Sequence, residues 1–582
     1  MILQSLVSLY EALLDRGVLE LPGWSKTKVS YALNIDENGQ LLDVFPLMVL
    51  EKRGKKEVSV PQIFDLPTPV VRTVGIAANF LYDNSSYFLG IDNKGKPERT
   101  RKCFEASKDL HEKLLSHSDC PAAKAICAFF QRWQPERARD HPVLKPYLDD
   151  ILAGGNLVFQ LNNRFVHEYP EIREIWQRHY DDDADADVMQ CLVTGKMEPV
   201  AVLHPSVRGV QGAQSSGAYL VSFNARAYES YGHEKEQGKN APVGKYAAFA
   251  YGEALKYLFS DMTFRLGDTI VLTWAEGGEP AYKSAFSAFL NGAEEDGSIS
   301  DADLKRMLSR ITAGLPVEWK GTEIQPENRF YVLGIAPNAA RLSVRFFLQN
   351  TFGVFVQNIR AHYDRLEIVR PKWDNREILS PKDLLLETVN QKAKDKTPHP
   401  QMAGDTLRAI LSGGRYPATL LNGVMLRIKA EQELTRGSAA IIKAYLLRNY
   451  DISTLKEVLT VELNQQSAYP PYLLGRLFSI LEQIQQAANP GINTTIKDKY
   501  FSSACATPAS VFPLLIKLSN SHLRKLDTAL RVYLEKQITE VLGKLTENFP
   551  QRLSLPEQGA FYLGYYHQTQ KRYEKQNKEE GN

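Results

Sequence analysis

Amides, hydroxyls and glycines gather in four short stretches of this sequence: GIAANFLYDNSSYFLG (75–90), GVQGAQSSG (209–217), SFN (222–224) and EQGKNAP (236–242). Such side chains form hydrogen bonds but do little acid–base work. Each Asn or Gln offers one acceptor and two donors at the end of a short stem. Asn79, Asn84, Gln211, Gln214, Asn224 and Asn240, with Ser215 and Ser216, are therefore candidates for reading base edges. Asn and Gln pair with adenine in the major groove, and their donors meet A N3 or T O2 in the minor groove. Glycines between them let backbone approach a ligand closely. Lys52, Arg53, Lys55 and Lys56 in the turn KRGKK, together with Lys239, could hold phosphates, which position a duplex without specifying it. The alternative is that the amides satisfy loop backbones, as Asn in turns usually does.

Other chemistry finds little support. No GxxxxGK[ST] loop is present, which argues against a P-loop nucleotide engine. The run DDDADAD (181–187) suggests metal binding, but it lacks the glycine and distal glutamate of an EF-hand loop and reads as a solvated loop. The histidines are dispersed; His167 and His204 lie in no HExxH or HxxxH pair and read as packed or capping residues. The stretch Ala213–Gly217 resembles a nucleophile elbow with alanine in place of its first glycine. An elbow needs strand, turn and then helix, whereas here the serines precede a strand. No catalytic residue, metal ligand or cofactor is expected.

The elements that would position these groups follow from periodicity. MILQSLVSLYEALLDRG spaces Leu3, Leu6, Leu9, Tyr10, Leu13 and Leu14 as one helix face, with Gly17 to end it; the absence of a basic start argues against a signal peptide. Residues 27–60 read as strands separated by the turns DENG and KRGKK. Further strands are expected at TVGIAANF (73–80), YLVSF (219–223), TIVLTW (269–274) and RFYVLGIAP (329–337). Helices are expected over 101–135, 140–154 and 243–259, and LSVRFFLQNTFGVFVQNIRAHYDRLEI is expected to enter a long helix. YLVSF would be a buried strand holding amide-bearing loops at both ends. Composition turns polar and proline-bearing across 370–400, and beyond it Leu473, Leu477, Leu481, Ile484 and Ala488 share one helix face, as do Leu530, Leu534, Ile538, Val541 and Leu545. The fold class is therefore α+β: a large mixed domain over 1–375, with several antiparallel strands and inserted helices, then an all-α bundle over 376–582.

With 582 residues, 43% hydrophobic and 24% charged, the chain has room for several cores and the composition of a folded protein. Its net charge of +2 hides an asymmetry: residues 401–582 carry 22 Lys+Arg against 16 Asp+Glu, the remainder 48 against 52. The mildly basic C-terminal part suits either a polyanion partner or a solvated helix surface. Five scattered cysteines without a CxxC pair read as reduced thiols, and no apolar run approaches the ~20 residues that span a bilayer, so a cytoplasmic protein without membrane contact is expected.

MILQSLVSLYEAL, GIAANFLYDNSSYFLG, HPSVRGVQGAQSSGAYLVSFNARAYESYG, QGKNAPVGKYAAFAY, RFYVLGIAPNAARLSVRFF and INTTIKDKYFSSACATPASVFPLL, taken in order, are similar to the large subunit of the type I-C CRISPR Cascade complex. The resemblance covers essentially the whole chain. It implies a non-enzymatic subunit of an RNA-guided surveillance complex that recognises a short PAM in double-stranded DNA, assists duplex opening and R-loop formation, and helps recruit a separate helicase-nuclease. Implied partners are the CRISPR RNA, the Cascade backbone and foot subunits, and a small subunit made from the same gene by internal initiation. Met425 is the last methionine and would give a 158-residue product; Val458 or Val461 would give shorter ones. The helical part would line the target or displaced strand. One departure is the longer HEKE segment before Gln237, which brings Glu234 and Glu236 near the proposed DNA contact, where they would repel phosphate unless they point away. Two rival classes remain, a metal-dependent nuclease and a purely structural scaffold.

Overall fold

The computed structural model describes residues 1–582 apart from 54–55, 71, 73–74, 182–186, 231, 261–263, 293–298, 395, 547 and 580–582, and apart from the side chains of 52, 53, 56, 181 and 574–579. The chain divides into two compact units, Met1–Pro205 with Ser222–Ala254, and Ser206–Val221 with Leu255–Asn582. Strands concentrate in the N-terminal part. Beyond residue 376 every element among the described residues is a helix, so the protein is α+β as its patterning implies.

In the first unit, Tyr31–Ile35 is buried at every position and pairs antiparallel with Leu41–Pro46 and parallel with Leu157–Leu161. Asp36 closes the DENG turn, its Oδ1 accepting from Asn38 N and Gln40 N at 3.0 and 2.7 Å. Helices Pro97–Leu115 and Pro121–Arg132 cover this sheet, and Phe88, Phe129, Phe130 and Phe159 pack ring against ring beneath them, with centroids 4.6–5.8 Å apart. A second antiparallel sheet runs Trp24–Val29, Lys56–Pro67, Met48–Arg53. Its last two strands form a hairpin closed by the pair Arg53 and Lys56, and the turn between them lies outside the described residues.

The second unit carries a six-stranded sheet in the order Ser206–Val207, Ala218–Tyr219, Arg341–Thr351, Arg329–Asn338, Thr269–Ala275, Phe264–Leu266. One hydrophobic core runs from Leu266 through Phe355 and Leu407 to Tyr566, so the sheet-covering helices and the C-terminal helices share an interior. Leu473, Leu477, Leu481 and Ile484 are buried along helix Pro470–Ala488, with Leu534 and Val541 buried in helix Thr528–Leu542, as their spacing requires.

Four expectations are corrected. Gly75–Phe80 is irregular, because side chains rather than a neighbouring strand hold its backbone: Asn79 N donates to Asp83 Oδ2 (2.9 Å) and Leu81 N to His111 Nε2 (3.0 Å). The 101–135 helix is two helices broken before Pro121, and 140–154 holds only short 3₁₀ turns and helix Leu148–Ala153. YLVSF contributes to no strand beyond Tyr219. That residue pairs with Ser206 and Arg341, and Leu220–Phe223, without a further strand alongside, is irregular and only half-buried. Arg341–Thr351 is a strand rather than the start of a helix; Thr351 then caps helix Phe352–Leu366, its Oγ1 accepting from Val354 N at 3.4 Å.

Candidate nucleic-acid interface

The loop 209–217 stands on the 329–351 hairpin, not on YLVSF. Ala213 N donates to Val210 O and Gly217 N to Gln214 O, each at 3.0 Å, folding the loop into two successive turns. Gln214 N donates to Ala339 O (3.1 Å) and Tyr219 N to Ala340 O (2.9 Å), tying those turns to the hairpin's tip. Gly212 sits at φ +92° with a Cβ position 3.0 Å from the Pro337 ring, so a side chain there would be both strained and crowded. Gln211 is exposed, and its Oε1 accepts from Arg265 Nη1 at 2.8 Å. Gln214, Ser215 and Ser216 are exposed, and their side chains make no hydrogen bond among the described residues. The loop therefore presents one amide and two hydroxyls outward from a braced backbone.

The first unit uses its amides differently. Asn79 is buried and its Oδ1 accepts from Val70 N (3.0 Å). Asn84 caps helix Ser85–Phe88, its Oδ1 accepting from Ser86 N (3.0 Å), which leaves Nδ2 without a partner among the described residues. Asn240 is buried, accepting from Ser230 N (2.7 Å) and donating to His233 O and Gln237 O (3.0 and 2.9 Å). Asn224 is exposed. Lys239 is bound by Asp187 and lies 3.8 Å from Glu236; the hydrogen bond to Asp187 holds its ammonium above the usual range. Glu236 is turned toward His233, whose Nδ1 lies 2.6 Å away. Lys55 and the side chains of Lys52, Arg53 and Lys56 fall outside what is described, as does most of the acidic run, 182–186.

His167 and His204 are buried. His204 Nδ1 lies 2.7 Å from the Tyr251 hydroxyl, and burial drives both His204 and His167 down to about 4. Among the described residues no three or more His, Cys, Asp or Glu side chains are grouped as metal ligands would be, and no described helix is long and apolar enough to cross a membrane. The five cysteines are unpaired, four of them buried.

A feature that motif reading passes over lies beside Asn84. Arg72 donates to both oxygens of Asp83, donates through Nε to Ala77 O (2.7 Å) and stacks its guanidinium 4.0 Å above the Tyr87 ring. Asp83 is 1% exposed; burial pushes its carboxyl up, opposed by Arg72 and by the amides of Asn79 and Asn84. Arg72, with Asp83 buried behind it, lines a cavity of about 360 Å³ that Lys94, Lys96 and Arg99 also line. Ten residues with one glycine, Gly75, separate Arg72 from Asp83 in sequence, so no local pattern announces the pair. The usable signal was the turn DNKGKP, where Asp92 opens an Asx turn and Pro97 starts a helix.

The family model described as CRISPR-associated protein (Cas_Csd1) matches residues 6–573, nearly the whole chain. This is a CRISPR-associated protein. It belongs to the Csd1 family, the large Cascade subunit of type I-C systems.

Proposed function

We propose that this subunit recognises a short PAM in double-stranded DNA through the 209–217 loop, and that by doing so it helps open the duplex for pairing with the CRISPR RNA. Guide pairing reads the long sequence, so the protein needs only a small reading surface. The observation that carries this reading is the state of Gln214, Ser215 and Ser216: exposed, without internal side-chain partners, and held on a backbone fixed to the sheet hairpin. Rigidly mounted groups place donors and acceptors better than free loops do. Asn79, Asn84 and Asn240 hold backbone within the first unit. The backbone and foot subunits, and a helicase-nuclease that acts after R-loop formation, complete the work; this chain performs no catalysis itself.

Gln214→Ala tests the proposal cleanly, because the loop is held by the Gln214 backbone amide and not by its side chain. In the guide-bearing complex the variant should bind PAM-bearing duplex about ten- to a hundredfold more weakly, the 1–3 kcal/mol of a good base contact. Its affinity for a mutated-PAM duplex should not change. Equal binding of both duplexes at wild-type strength would favour a purely structural subunit. Ser215→Ala should remove no hydrolytic activity, and any esterase or nuclease activity abolished by it would overturn the non-enzymatic assignment.

A further inference from the structure

The geometry points to a second nucleic-acid contact in the first unit: the cavity between Arg72 and the loop 92–96 is a seat for a phosphodiester group of a bound strand. It deepens the DNA-binding reading and rests on it only for which strand supplies the phosphate.

The cavity wall offers donors and almost no open acceptor. Lys94 and Lys96 are exposed and make no side-chain hydrogen bond or ion pair among the described residues. Arg99 spends one donor on Gly75 O (3.2 Å), and Asn84 Nδ2 is open. The one carboxylate on that side, Asp92, is largely engaged: Oδ1 accepts from Lys94 N (3.0 Å), and Oδ2 from the Thr100 hydroxyl (2.8 Å) and, more distantly, that of Ser86 (3.4 Å). Burial opposes its ionisation, but those hydrogen bonds and the Lys94 charge hold its carboxyl below the usual range. Arg72 and Asp83 neutralise each other. Three cations therefore face one engaged carboxylate, and an anion is the ligand such a wall accepts.

The loop that carries the lysines is fixed. Asp92 ties it to helix Pro97–Leu115 through Thr100, and Arg139 Nη2 donates to Asp92 O at 2.6 Å. Gly90 and Gly95–Lys96 share the glycine–lysine spacing of a phosphate-cradling loop, but neither glycine lines the cavity and no strand leads into them, so the seat rests on the side chains of Lys94, Lys96 and Arg99. At about 360 Å³ the cavity is near the lower end of the roughly 300–1,000 Å³ range of ligand pockets, enough for a phosphodiester and its sugar but not for a folded partner.

The test is the salt dependence of binding by the full chain, with a DNA duplex and a single-stranded RNA as separate probes. Lys94→Ala/Lys96→Ala should weaken binding several-fold at low salt and lower the slope of log affinity against log salt by about 0.9 for duplex DNA, or about 0.7 for a single strand, the loss of one phosphate contact. Lys94→Arg/Lys96→Arg should restore both. Lys113→Ala, an exposed charge at the far end of helix Pro97–Leu115, serves as the control for generic charge loss and should change neither. A change with the duplex assigns the seat to target DNA, and a change with RNA alone assigns it to the guide. Unchanged slopes for both probes, or slopes no different from the Lys113→Ala control, overturn the inference. Its failure is distinct from failure of PAM reading, since the double variant leaves the ratio of PAM-bearing to mutated-PAM affinity intact whereas Gln214→Ala changes it.

Discussion

Helices Pro470–Ala488 and Leu555–Glu579 meet at two glycines, and adding a single methyl at either should force them apart. A Cβ on Gly475 would fall on the Phe561 carbonyl oxygen and lie 2.8 Å from both its carbon and Tyr565 N; a Cβ on Gly564 would fall on the Tyr472 carbonyl oxygen, 3.0 Å from its carbon. Comfortable carbon–carbon separation is about 3.5–4.0 Å, so the backbones must shift by the order of 1 Å. Neither obstacle is a side-chain tip that could swing aside. Overpacking of this kind costs about 1–3 kcal/mol and sometimes more. Alanine's helix preference over glycine returns about 1 kcal/mol, so each of Gly475→Ala and Gly564→Ala should be destabilising by about 2 kcal/mol net where the strain is at its upper end. Both glycines set the same helix separation, so once one substitution opens it the second adds little: the double variant should be markedly less destabilised than the sum, with a coupling of about 0.5–3 kcal/mol. Gly404→Ala is the control. A Cβ added there, in helix Pro400–Ser412, would meet only the Thr269 hydroxyl at 3.3 Å and no backbone, so the variant should stay within about 1 kcal/mol of wild type. Thermal melting followed by helix circular dichroism reads all four proteins. Wild-type melting in both singles, or strict additivity in the double, would refute backbone contact at this crossing.

Three further outcomes are expected. Burial holds His111, His167 and His204 at about 4 and His362 and His567 at about 3, below the unfolded value near 6.5. The unfolded chain therefore takes up protons first, and stability present above pH 6.5 should be lost as pH falls below it, by about 1.4 kcal/mol per pH unit for each histidine; a melting temperature that stays level down to pH 5 would contradict this. Asn240→Ala strips Ser230 N of its acceptor and two carbonyls of their donor, so it should cost about 1–3 kcal/mol and speed amide exchange over 229–240, whereas unchanged exchange there would show the side chain is dispensable. Expression of the intact gene should also yield a C-terminal product beginning between Leu420 and Pro470. Met425 is buried within helix Ala418–Glu431, while a start at Val458 or Val461 would still retain helices Pro470–Ala488 and Leu555–Glu579; mass spectrometry that finds only full-length chain would end the internal-start proposal.

What could be read in the sequence was what local spacing controls. The first helix, the strands at 31–35, 269–275 and 329–338, and the helical C-terminal part follow from apolar periods that need no distant partner to interpret. The misreadings share a cause. A five-residue apolar run such as Tyr219–Phe223 is a strand only where a neighbour supplies hydrogen bonds, and here the neighbouring strands reach Tyr219 and stop. Likewise 75–80 is apolar enough for a strand, but Asp83 claims the Asn79 amide and His111 that of Leu81 just beyond it. Side-chain exposure was equally hidden. Asn240 and Gln214 look alike in sequence, yet one is consumed by three backbone groups and the other faces outward. The Arg72–Asp83 pair depends on how the loops before helix Ser85–Phe88 close, which no spacing rule encodes.

A duplex library randomised beside a fixed guide-matched target, bound by the assembled complex and sequenced before and after selection, addresses PAM recognition in one step. The wild-type complex should enrich a defined short flank, and the Gln214→Ala complex should flatten that enrichment at one or more positions while still binding guide-matched DNA. A flat profile for the wild-type complex, or an identical profile for the variant, would show that the 209–217 loop does not read DNA.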